Sequence, residues 1–142
     1  METASPDPGQ LEQILRRTSR IAVVGWSPNP ERASHTISDA LEELGWEVYR
    51  VRPGAGRPEV WDSLEDLPVP VDLVNVFRRP EAVPALVEPA RRAGARVFWM
   101  QPGAESEEAA RLARAAGLEP IQGACILATV KILGLRREAG AG

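Results

Sequence analysis

The chain has 142 residues, 44% hydrophobic and 26% charged, with a formal net charge of −3, which fits one domain with a sizeable core and offers nucleic acid or an anionic membrane no bulk attraction. No apolar run approaches the roughly 20 residues of a bilayer span. One cysteine, Cys125, and one histidine, His35, supply neither an internal disulfide nor a zinc set, so no protein-only metal site is expected.

The opening stretch METASPDPGQ is acidic and rich in Pro and Ser, without the basic and apolar regions of a signal peptide, and the chain reads as cytoplasmic. Lys131 is the one lysine against sixteen arginines, with thirteen prolines and only Asn29 and Asn75 as asparagines. That bias points to a GC-rich genome and a hot habitat, and says nothing of function.

Residues 1–9 are expected to fray. GQLEQILRRTS then places Leu11, Ile14 and Leu15 at helical spacing, so a helix precedes the first strand, RIAVVG, a short β-branched run of the kind buried on both faces of a parallel sheet. SHTISDALEELG predicts a helix capped by Ser34 and stopped by Gly45, with Ile37, Leu41 and Leu44 on one face. WEVYRVRP is a second strand, and GAGRPEVWDSLEDLPVP a Gly/Pro-punctuated connection with a turn around SLEDLP.

VDLVNVF is a third strand, RPEAVPALVEPARRAG a helix with Pro80 in its first turn, and ARVFWM a fourth strand. AESEEAARLARAAG is a helix, LEPI a short fifth strand and GACILATVKILGLRRE a final helix, with residues 138–142 expected to fray. Alternating strands and helices predict a doubly wound α/β domain spanning 1–142: a mostly parallel five-stranded sheet in a Rossmann-like, three-layer αβα arrangement.

Ligands of open α/β sheets bind beyond the carboxyl ends of the strands, where strand order reverses, so the loop after the first strand is the candidate site. A helix starting near Ser34 offers unpaired N–H groups to phosphate. Gly25 permits close backbone approach, Ser27 and Ser34 carry hydroxyls, and Arg32 is a bidentate donor. The alternative is a plain strand-to-helix turn with Ser34 as its cap. GWSPNPERAS is not GxGxxG: Trp26 stands where the second glycine would be.

The second strand ends in VYRVRP, with Arg50 and Arg52 and no carboxylate to hold a ribose 2′-hydroxyl. This disfavours NAD and favours a phosphorylated ribose, as in coenzyme A or NADP, unless both arginines are merely solvated. Arg32, Arg50, Arg52, Arg57, Arg78 and Arg79 all fall where strands finish, giving an acidic protein a locally positive rim.

IAVVGWSPNPERASHTISDALEELGWEVYRVRP, VDLVNVFRRPEAVP and GARVFWMQPGAESEEAARLARAAGLEPI, followed by a Cys-Ile pair, resemble the small stand-alone bacterial CoA-binding proteins. Their Rossmann-like domain is similar to the CoA-binding part of the succinyl-CoA synthetase alpha subunit. The resemblance covers about residues 10–133. It implies that Gly25, Trp26, Ser27, Pro28 and Arg32 with Ser34 line the loop for the CoA diphosphate, and that Arg52 and Pro53 face the adenosine and its 3′-phosphate. Phe77, Arg78 and Arg79 would flank nucleotide and pantetheine, with Met100, Gln101 and Pro102 further along. The family usually carries Asp-Arg-Cys after the fifth strand; here IQGACI keeps Cys125 without the charged pair. Cys125 reads as a buried small apolar side chain, a reactive or CoA-linked thiol being the alternative.

No catalytic constellation is visible. His35 is read as a first-turn residue or a ligand contact, with Asp39 four residues on able to reach it. Trp26, Trp46, Trp61 and Trp99 read as packing residues, although Trp26 is placed to lie against a ligand. The leading reading is a CoA- or acyl-CoA-binding protein without catalysis: a carrier, a sensor, or a subunit acting with a protein partner or as a homodimer. An NADP-dependent reductase is the second reading, and a structural or regulatory subunit with no small-molecule ligand the third.

Overall fold

A computed structural model of the chain describes residues 6–138. Of the termini expected to fray, residues 1–5 and 139–142 lie outside the described residues. Pro8 and Gly9, by contrast, open the first helix, α1 (Pro8–Arg17), because Asp7 caps it by accepting from the Gln10 N–H at 3.2 Å and Pro8 loses nothing at the first helical position.

Strands β1 (Arg20–Val24), β2 (Glu47–Val51), β3 (Val60–Trp61), β4 (Leu73–Val76), β5 (Val97–Met100) and β6 (Glu119–Ile121) form one sheet in the order β3-β2-β1-β4-β5-β6. Every pairing is parallel. The sheet thus has six strands among the described residues rather than the expected five. β3 lay hidden in the Gly/Pro connection: it is two residues long, and its register of Arg50↔Val60 and Val51↔Trp61 comes from the sheet edge, not from its own periodicity. So short an edge strand limits unwanted pairing with other chains.

The expected helix over 79–94 is broken into two 3₁₀ turns, Pro80–Ala82 and Pro84–Leu86, followed by α3 (Val87–Arg92). Pro84 has no N–H to continue the first turn, whereas Pro89 falls within the opening turn of α3, where a missing N–H costs nothing. α4 (Glu107–Ala115) is capped by the Ser106 hydroxyl, which accepts from Ala109 N at 3.0 Å. α5 (Ile126–Leu133) stops short of the expected end because Gly134 turns left-handed, at φ +67°, and Leu135 N bonds back to Val130 O.

Helices cover both faces. α1, α5 and α2 (Ala33–Glu43) bury Leu15, Leu41 and Ile126 against Ile21, Val23, Leu73 and Trp99; α3 and α4 bury Val87, Ala90 and Ala113 against Val74, Val76 and Phe98. β1 after Arg20, and β4 apart from Asn75, are apolar because both their faces are covered. The chain runs outward from β1 to β2 and β3, then crosses back to β4, so strand order reverses between β1 and β4, and a crevice opens at their carboxyl ends.

Candidate functional site

The loops after β1 and β4 meet at this crevice. Gly25 adopts φ +92°, and a Cβ there would lie 2.0 Å from the Phe77 carbonyl oxygen, so only glycine lets the two backbones pass so closely. Phe77 N donates to Val24 O at 2.8 Å, and Gly25 N and Trp26 N both donate to Val51 O, tying the loop to β1, β2 and β4 together.

Beyond Trp26 the loop folds on its own side chains. Ser27 Oγ accepts from Asn29 N at 3.1 Å, and Asn29 Oδ1 from Glu31 N at 2.9 Å. Ser34 does not cap α2. Arg32 occupies the cap position through its backbone alone, while the buried Ser34 hydroxyl accepts the Ser27 N–H at 3.0 Å and pins the loop to the helix. No acceptor meets the N–H groups of Ala33 and Ser34 among the described residues, so the start of α2 faces the loop with its donors open.

His35 holds the loop from the other side. Its Nδ1 lies 2.9 Å from Ser27 O, its Nε2 3.5 Å from Asp39, and its ring stacks on Trp26 with centroids 5.5 Å apart. Trp26 is buried rather than exposed to a ligand, and Arg57 covers its ring at 5.9 Å.

The arginines divide into two groups. Arg52 Nη1 donates to Trp26 O at 3.2 Å, Arg57 lies over Trp26, and the stem of Arg78 rests against Gly25, so three exposed cations gather on one short loop. Arg32 and Arg79 are exposed on the same edge. Arg50 does not belong to the rim: it is held by Asp39 at 2.9 Å and Glu42 at 3.0 Å, with 16% of its side chain exposed. Burial alone would lower its pKa, but the hydrogen bonds it donates to Glu42 and Asp39 outweigh this and raise it. Its charge is spent within the fold, which removes one of the two arginines that favoured a phosphorylated ribose.

Pro28 is half-buried beside Ser27, Phe77 half-buried at the end of β4, and Pro53 and Pro102 exposed at the rim. Two residues from the same edge turn inward. Met100 is fully buried in the α3/α4 layer, and Gln101, 3% exposed, accepts the Ile126 N–H with its side-chain oxygen at 2.8 Å, joining β5 to α5. Both are structural in this arrangement. Cys125 is half-buried at the cap of α5, less enclosed than expected.

Sequence reasoning passed over Asn75. It lies in β4, is fully buried, and has no hydrogen-bond partner for either amide atom among the described residues. One polar residue in the otherwise apolar LVNV was the available signal.

A hollow of about 380 Å³ lined by Leu64, Leu67, Pro68, Val69, Pro70 and Arg92 lies at the amino ends of the strands. Its cation, Arg92, is held by Glu88 at 3.1 Å, and none of the loop donors reaches it.

Residues 19–131 match the family model of the CoA-binding domain. The chain is 38% identical to the uncharacterized protein YneT of Bacillus subtilis (strain 168), over 86% of this chain and 93% of that one. It is similar to a solved hypothetical protein from Pyrococcus horikoshii OT3, with 32% identity, a TM-score of 0.83 and coverage of 94% and 99%. A dinucleotide-forming acetyl-coenzyme A synthetase from Ca. Korarchaeum cryptofilum, solved with phosphate and ADP, aligns over 73% of this chain but only 25% of its own, at 25% identity and a TM-score of 0.65. With four-fifths of its length inside the family model and its switch-point loop shaped by the residues that carry the resemblance, the chain belongs to the CoA-binding domain family.

Proposed function

We propose that the protein binds coenzyme A or an acyl-CoA across the carboxyl ends of β1, β2 and β4, with Gly25, Ser27, Pro28, Arg32, Ser34 and His35 around the diphosphate and Arg52 and Pro53 toward the adenosine 3′-phosphate. Phe77, Arg78, Arg79 and Pro102 border the remainder. The observation that carries this reading is the convergence of Arg52, Arg57 and Arg78 on a loop whose helix start keeps its N–H donors open.

Donors and cations dominate the site, and His35 is placed to hold the loop, with Nδ1 against Ser27 O and Nε2 beside Asp39, which supports a binding role. The protein acts as a carrier or sensor of CoA, or as a subunit whose partner supplies the chemistry. The alignment with one quarter of a much longer synthetase supports the subunit reading.

Calorimetric titration with CoA, 3′-dephospho-CoA and NADP tests this. Binding of CoA that weakens by about tenfold without the 3′-phosphate is expected, equivalent to one charge-assisted hydrogen bond. Binding of NADP with silence toward CoA would instead make the protein a candidate reductase.

A further inference from the structure

The fold satisfies its buried polar side chains almost everywhere. Thr18 bonds to Ile14 O, Ser38 to Ser34 O and Thr129 to Cys125 O; Gln122 accepts from Ser106 N. The other deeply buried indoles are also paired, Trp46 with Thr18 O at 3.0 Å and Trp99 with Ala124 O at 2.9 Å. Two side chains break the pattern: the Trp26 indole N–H and both amide atoms of Asn75 have no partner among the described residues. Natural folds rarely leave such groups unmatched without a use for them.

Both exceptions occupy one place. Side chains alternate along β4, and Val74 and Val76 pack in the α3/α4 layer, so Asn75 shares the opposite face with Leu73. It stands level with Val23 of β1 and Trp99 of β5, one residue from the carboxyl end of β4. Trp26 packs in that same layer, on the loop that crosses the end of β4 at Phe77. The orphaned donors and acceptor therefore lie directly behind the switch-point crevice.

We infer that Asn75 and Trp26 form a polar floor that reads the non-nucleotide arm of the ligand, selecting for a chain bearing amide or thioester carbonyls. This rests on the proposed binding of CoA and adds which residues distinguish it from a bare nucleotide. The indole N–H offers a donor, and the Asn75 amide offers both a donor and an acceptor, the complement of an amide-containing arm. Neither group meets solvent, so the arm reaches them as the Trp26 side chain turns. That ring is held by its stack on His35 and by Arg57, with no hydrogen bond to anchor it.

The test compares CoA with adenosine 3′,5′-bisphosphate, which lacks the arm, by calorimetry on wild type, Asn75→Leu and Trp26→Phe, alongside thermal melts without ligand. Wild type should prefer CoA by about tenfold or more, in line with the loss caused by leaving buried polar groups unpaired. In both variants that preference should shrink several-fold, with bisphosphate affinity unchanged in Asn75→Leu, and Asn75→Leu should melt no lower than wild type because it removes an unpaired amide. An undiminished preference in both variants, or an Asn75→Leu protein that melts lower with its preference intact, overturns the inference and makes the amide structural. Trp26→Phe keeps the ring and stands as the readout if Asn75→Leu does not fold. Silence of wild type toward both probes removes the CoA reading and this inference with it, whereas bisphosphate binding without a preference for CoA removes the inference alone.

Discussion

A methyl group added at Gly25 would meet the Phe77 carbonyl oxygen at 2.0 Å, and the backbone there is already left-handed. Gly25→Ala should therefore lower unfolding stability by more than about 2 kcal/mol in urea titrations, since both strain and overlap must be relieved. An unchanged midpoint would mean that the two loops are not so close. Arg52 and Arg50 make a second residue-scale contrast. Both end the same strand and look alike in VYRVRP, yet one reaches the loop while the other is locked between Asp39 and Glu42. Arg52→Ala should weaken CoA binding by about 1.5–3 kcal/mol, and Arg50→Ala should leave it within about twofold, as the loss of an internal ion pair allows. Equal losses in both variants would contradict the division of the rim. The sequence could not separate them, because the partners of Arg50 lie on a different element, α2.

Helices and strands were legible where their patterns were their own. α1 announces itself through the apolar spacing of Leu11, Ile14 and Leu15, as does β1 through its β-branched run. Two elements were not legible because neighbours make them: β3 exists through its pairing with β2, and the broken 79–94 segment through prolines whose effect depends on where each turn begins. Gln101 shows the same dependence, since its amide joins β5 to α5 rather than facing a ligand. Gln101→Leu should destabilise the fold by about 1–3 kcal/mol by stranding the Ile126 N–H, with CoA affinity retained in the folded fraction. α3 offers a pH test. Hydrogen bonds from Arg91, then Arg92, hold the Glu88 carboxyl down at about 2 from an ordinary 4.5. A folded value below the unfolded one means the stabilisation is present above about 4.5 and lost as pH falls toward 2. NMR titration should give Glu88 a midpoint near 2, and one near 4.5 would show that these bridges do not persist in solution.

At the scale of the molecule, the order of elements in the sequence was enough to define a parallel α/β sheet and to place its topological switch point beside β1. Gly25, Ser27, Ser34 and His35 lie together at that end of the sheet, while Trp26, Met100 and Gln101 are buried and Asn75 stands level with Val23 and Trp99 within the sheet. Those inward residues were illegible because burial depends on which helix finally covers each strand. A protein of net charge −3 thus carries one cationic edge, set apart from the hollow beside Leu64 and Pro70. The most direct test is a backbone NMR titration of the whole chain with CoA. Resonances of 25–36, 52–57 and 77–79 should shift together, with those of 64–70 and 92–94 unmoved. Shifts confined to the latter, or none at millimolar CoA, would contradict the assignment of the switch-point crevice as a CoA site.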